Sequence, residues 1–154
     1  MGFDLHGMNP NIKNSAPKLP AWDAEDNEET KKAREEYFEW QDNTPGVYFR
    51  NNVWFWRPLW MFVSGVCDDI LTEKDIERGT FNDGHKISKT KAERIAKKLY
   101  SMLDNGQVDE YEAEFTRHKE ELEDGNWNKN YPFSKDNVRE FADFCANSGG
   151  FQIC

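Results

Sequence analysis

Paired cysteine spacing is missing from this chain. Its three cysteines, Cys67, Cys145 and Cys154, form no CxxC pair, and an odd number without framework spacing suits a reducing compartment. Long apolar runs are missing too. The best of them, LWMFVSGV, stops at Asp68–Asp69, well short of the roughly 20 residues a membrane helix needs. The first residues have neither the charged nor the apolar region of a signal peptide, and His6 stands where a myristoylation pattern has Ser or Thr. The expectation is a soluble, intracellular protein with no membrane partner. Basic residues are also short: 20 Lys and Arg face 29 Asp and Glu, for a net charge of −9. Direct nucleic-acid binding needs clustered cations that release counterions, and that balance argues against it.

Catalytic motifs are equally scarce. The chain holds no P-loop, GxGxxG, HExxH, GxSxG or zinc-ligand spacing. Its three histidines, His6, His85 and His118, lie far apart. His118 falls on the apolar stripe of a helical segment, which points to a core or boundary role. Asp4 and His6 share a face if their segment is a strand, but two ligands do not make a metal site. Asp68, Asp69 and Glu73 read as an acidic helix exit. Neither a metal nor a cofactor is expected, and the balance leans away from an enzyme.

What is present is charge in blocks and a wealth of aromatics. Residues 23–39 carry a net −5 and residues 109–124 a net −6, so the rest of the chain is +2. Hydrophobic content is 37%, but aromatics make up 14%, including six tryptophans, so a few large side chains must do much of the burying. At 154 residues the chain is most simply one domain, 1–154, with a core that needs no staples.

Periodicity and punctuation divide the chain into about five helices and a small β element, a mostly α fold of α+β class. Residues 9–22 hold three prolines and read as a connector. DNEETKKAREEYFEWQ opens with an Asp26-x-x-Glu29 capping pattern and has one narrow stripe, Ala33, Tyr37 and Trp40. It reads as a peripheral acidic helix. Pro58 fits the first turn of a central buried helix, along which Leu59, Val63, Val66 and Ile70 recur at helical spacing. Ser88 caps a helix with Ala92, Ile95, Ala96, Leu99 and Leu103 inward, and Ser134 caps one with Val138, Phe141, Ala142 and Cys145 inward. Between them Val108, Tyr111, Phe115, His118 and Leu122 mark another amphipathic helix. GFDLHG at the start, GFQIC at the finish and the 47–50 segment VYFR are short alternating runs able to form a sheet. Asp83–Gly84 signals a small hairpin.

The stretch GVYFRNNVWFWRPLW, residues 46–60, stands apart. Its aromatics are dense enough for a core, yet it interleaves two arginines and two asparagines, which are costly to bury unpaired. Two readings stand side by side. In one, the aromatics fill the core and the arginines reach out over them. In the other, Trp54 and Trp56 stack a flat ring, Arg50 and Arg57 pair with phosphates, and Asn51 and Asn52 read polar edges. The N-terminus of the Pro58 helix would add free N–H groups for an anion. Tyr131 and Asn147 offer related chemistry in NWNKNY and NSGG, and the latter also reads as a plain helix stop. The row Lys91, Arg94 and Lys98 forms a basic helix face, a lesser candidate for phosphate.

MGFDLHGMNP, YFRNNVWFWRPLW, FNDGHKIS and YPFSKDNVREFADFCANSGGF resemble a family of small, mostly uncharacterised proteins from tailed bacteriophages and viral metagenomes. The resemblance implies expression in an infected bacterial cytoplasm and assigns no activity. Residues 16–44, with the acidic helix, look like an insertion relative to that pattern. Some relatives carry a cysteine-rich knuckle before YPFS; this chain has DGNWNKN there, so zinc-dependent properties do not carry over. Small phage proteins include counter-defence factors that sequester nucleotide-derived immune signals. The leading expectation is therefore a non-enzymatic binder, or sponge, of a nucleotide-like small molecule, with a homo-oligomer compatible with that role. The alternative is an acidic interaction module that mimics nucleic acid and inhibits a host protein through Glu35, Glu36, Glu120 and Glu121. A nucleotide-cleaving enzyme using Asp4, His6 or Asp83 ranks third.

Overall fold

A computed structural model describes residues 1–154. Six helices and a four-stranded antiparallel sheet make a mostly helical α+β fold. The order is β1 (Gly2–Gly7), α1 (Glu28–Asp42), β2 (Tyr48–Asn52), α2 (Val53–Val66), α3 (Glu73–Arg78), β3 (His85–Ile87), α4 (Lys89–Asp104), α5 (Gln107–Glu120), α6 (Lys135–Asn147) and β4 (Phe151–Ile153), with a 3-10 turn at Trp127–Asn130.

Both chain ends enter the sheet, whose strand order is β2-β1-β4-β3. The N-terminal strand pairs on one side with β2, setting Leu5 opposite Phe49, and on the other with β4, setting Leu5 opposite Ile153. Period-2 alternation sends Phe3, Leu5, Phe49, Ile87, Phe151 and Ile153 to the covered face. Asp4, His6, Tyr48 and Arg50 take the outer one. The β-turn signal at Asp83–Gly84 does not close a local hairpin. Instead β3 adds to the far edge of β4, and Gly84 N–H donates to the Ile153 carbonyl at 2.7 Å.

Helices α2 and α6 pack on the sheet, and α4 packs on α6 in the most extensive helix pair. Every inward position expected on α4 and α6 is buried, joined by Phe144. Their N-caps form as well: Ser88 accepts from Lys91 N–H and Ser134 from Asn137 N–H, both at 3.3 Å. Gly149 and Gly150, at φ 66° and 91°, end α6 in the left-handed region that favours glycine. The core is one cluster of 25 apolar side chains running from Phe3 to Ile153.

Three local expectations shift. The cap of α1 is Asn27, one residue on from Asp26, accepting from Thr30 N–H at 2.9 Å; α1 itself buries no residue. The supposed acidic exit holds a sixth helix, α3, nucleated by a reciprocal capping box between Thr72 and Asp75. Most consequential, α2 opens at Val53 rather than at Pro58. Asn52 is the cap, accepting from Phe55 N–H at 3.1 Å, and Val53 N–H donates to the Met1 carbonyl at 3.4 Å. Pro58 therefore sits inside the helix, where its missing N–H removes the ladder bond to Trp54.

Within α2, Trp56 and Trp60 stack at 5.3 Å, and Phe3 stacks on Trp56 at 5.4 Å. Their indole N–H groups end on carbonyls of the α3 region, Trp56 on Gly79 and Trp60 on Ile76. A methyl group at Gly79 would lie 2.2 Å from the Trp60 ring. Gly79→Ala is therefore expected to lower stability by about 1–3 kcal/mol in urea unfolding. Gly65→Ala in the same assay should raise it by about 0.5–1 kcal/mol, because nothing lies within 4 Å of the added carbon in the exposed end of α2.

Candidate functional site

The opening of α2 at Val53 sorts the aromatic, arginine and asparagine residues. Residues two apart share a face on a strand but lie about 200° apart on a helix. Trp56 consequently points inward and is 0% exposed, with its N–H already used by Gly79 at 2.9 Å; it has no free face for a ligand. Asn51, at the end of β2 and 9% exposed, exchanges both amide hydrogen bonds with Asn137 of α6 at 2.9 Å. That reciprocal pair ties the sheet to the last helix. Asn52 spends its side chain as the α2 cap, so the first turn offers no open cradle for an anion. Arg50 lies on the outer sheet face and pairs with Asp4 at 3.5 Å. Asn147 belongs to the α6 stop, donating to the Asp143 carbonyl at 2.8 Å.

Trp54, Arg57 and Tyr131 do come together. Trp54 and Arg57 are three apart on α2 and share its exposed side. Arg57 Nη1 donates to the Tyr131 hydroxyl at 2.7 Å, and the Trp54 ring lies 5.0 Å from that of Tyr131 and 5.8 Å from that of Trp127. The 3-10 turn places Trp127 and Tyr131, held by its Asn126 cap and by Lys129 to Asp124 at 2.9 Å.

Beside this cluster runs a groove of about 360 Å³ between α2, α5 and the turn. Arg57 and Met61 form one wall, His118 and Lys119 the other, and Tyr131 and Asn128 close the end. Lys119 Nζ donates to the Tyr131 carbonyl at 3.3 Å and sits 6.0 Å over the Phe115 ring. Beneath, Phe115 and Tyr111 pack on Phe133 at 5.7 and 4.7 Å. No carboxylate lines the groove. His118 departs from its expected core or boundary place: its side chain is 78% exposed on the rim, 4.0 Å from Glu121. Lys119, absent from the sequence-based candidates, was legible only as an i,i+4 partner of Phe115.

Several other titratable groups are paired or buried. Tyr48 donates to Asp4 on the outer sheet face, where burial and that carboxylate push the phenol up to about 12. Asp83 is bound to Arg78 at 2.6 Å. Burial pushes the Cys67 thiol up to about 11 and raises Cys145 as well, leaving neither a thiolate at neutral pH. No group of three His, Cys, Asp or Glu side chains is placed to hold a metal ion.

One polar network went unseen in the sequence. Asp75, 5% exposed, accepts from Thr72 N–H at 3.0 Å, from Lys91 Nζ at 2.5 Å and contacts His85 Nε2 at 2.9 Å. It joins α3, β3 and α4, and none of the principal cavities is lined by it. Burial works against its charge, but the Lys91, Thr72 and His85 partners outweigh it and hold the carboxyl well below its usual range. Lys91, expected on the basic row, is drawn inward by this pair.

The chain matches no protein-family profile, no curated protein and no solved structure.

Asp75→Asn leaves Lys91 facing no charge and should lower stability by about 3 kcal/mol. Because the folded carboxyl titrates below its unfolded value of about 3.9, the Asp75 contribution is complete above that range and lost as pH falls through and below it. Urea midpoints between pH 7 and pH 3 should accordingly fall more steeply for the native chain than for the variant.

Proposed function

We propose that the groove binds an anionic small molecule carrying a flat ring, a nucleotide-derived ligand, and that the protein holds it without converting it. The observation carrying this reading is electrostatic. In a chain of net charge −9, the groove is lined by Arg57, Lys119 and His118 and by no acid, next to aromatic faces. Arg57 supplies a planar fork for phosphate oxygens and Lys119 a point charge. Tyr131 and Phe115 in the lining supply ring faces, with Trp54 packed on Tyr131 and Trp127 on Trp54, and the Asn128 amide can both donate and accept at a base edge. The volume lies within the range of small-molecule sites. Nothing in the groove pairs a nucleophile with a positioned base, which supports holding over turnover. In the phage setting implied by the motif resemblance, such a protein would withdraw a nucleotide signal in the infected host cytoplasm.

A second reading rests on a different observation. Helix α1 buries nothing, displays Glu35 and Glu36, and carries Phe38 at 52% exposure. That combination suits an acidic face docking on a basic host protein. Such binding would weaken steeply with salt and with Glu35→Gln plus Glu36→Gln, and it would be indifferent to the groove.

Native mass spectrometry and calorimetry against linear and cyclic nucleotides test the first reading. A stoichiometric ligand is expected, bound at least about tenfold more weakly by Arg57→Ala and by Lys119→Ala, with melting temperatures near the parent because Arg57 is exposed and Lys119 half-buried. A panel without a binder, or affinity indifferent to Arg57→Ala, would overturn it.

A further inference from the structure

Helix α4 carries five cations, Lys89, Lys91, Arg94, Lys97 and Lys98, against two acids, Glu93 and Asp104. With Lys91 drawn inward to Asp75, the others do not spread evenly. Arg94, Lys97 and Lys98 line a second groove of about 640 Å³, formed by one side of α4, the end of α2 and the start of α5. Like charges three and four residues apart destabilise a helix, so this spacing gains nothing for α4 itself. Asp69 is the single carboxylate in the lining, and it pairs with Lys98 at 3.0 Å. That contact holds Asp69 below the usual carboxylate range and fixes Lys98 at the groove wall. Arg94 and Lys97 have no salt-bridge partner. The groove is thus a concave surface with two cations outside any salt bridge in a protein of net charge −9.

We infer that this α2–α4 groove is a separate binding site for a short oligophosphate. From Arg94 to Lys98 the helix advances about 6 Å, so its cations present a row along an extended anion rather than one point for a single carboxylate. Arg94 provides bidentate geometry for phosphate oxygens, and the lysines provide charge. Ser101 and Gln107 add neutral donors at the far end, and Ile70 and Met102 form an apolar floor that limits hydration of the bound chain. The site shares no lining residue with the Arg57–Lys119 groove, so each stands or falls alone.

Isothermal titration of the full chain with inorganic tripolyphosphate at low salt tests the inference. The expected result is one saturable site, weakened at least about tenfold by Arg94→Gln with Lys97→Gln, screened by added salt and unchanged by Arg57→Ala. Both substituted residues are exposed, so the melting temperature should hold. Absence of saturable binding, loss with Arg57→Ala but not with the double variant, or equal affinity for a hexaglutamate peptide would each overturn the assignment.

Discussion

Much of this molecule depends on where helix α2 begins. Asn52 ends β2 and caps α2 at once, so the chain passes from a two-residue to a 3.6-residue period with no linker between. Up to that residue, alternate side chains enter the core; beyond it, Trp56, Leu59, Trp60 and Val63 do. The same rotation turns Trp54, Arg57 and Met61 outward. Core and candidate site are therefore two faces of one register, and the interleaving of arginine and asparagine among the aromatics follows from it. Asn51 is buried because it has an amide partner in Asn137; Arg57 is tolerated because it reaches solvent and a tyrosine hydroxyl.

Charge is segregated in a comparable way. Acids crowd the exposed faces of α1 and α5, where water and nearby bases screen them. The Asp75 network is the exception, a carboxylate taken out of water and compensated from three elements. It gives the short α3 a fixed place, and α3 in turn supplies the carbonyls that satisfy Trp56 and Trp60. The polar network and the tryptophan stack support each other, since Gly79 lies at the end of the helix that Asp75 anchors. Four of the cations outside any salt bridge lie in two grooves, Arg57 and Lys119 in one edged with aromatics, Arg94 and Lys97 in one without.

Long helices were easy to read from the chain. Ser88 and Ser134 caps, glycine stops and apolar positions at three and four residues repeat one signal often enough to locate α4 and α6. Short elements were not. α3 is six residues long, too short for periodicity, and its only advertisement is Thr72-x-x-Asp75, which also reads as part of an acidic exit. The hairpin signal at Asp83–Gly84 failed because the partner of β3 is the last strand, far along the chain, and pairing of that kind leaves no local mark. Of the eight candidate site residues, Trp54, Arg57 and Tyr131 gather at one place. Trp56 and Asn51 went to the interior, Asn52 to a cap, Arg50 to the sheet surface and Asn147 to a helix end.

By itself, then, the amino-acid sequence determined the long helices, the Ser88 and Ser134 caps, the glycine stops, the three alternating runs of a small β element and the excess of acid. Those properties are local or compositional, and each is written in neighbouring residues. Only the tertiary structure decided which tryptophan is core and which is surface, and that Lys119 and His118 face Arg57 across a groove. Side-chain facing depends on the period of the backbone, and that period changes at Asn52 because both the strand before it and the helix after it are held by distant partners, Met1 among them.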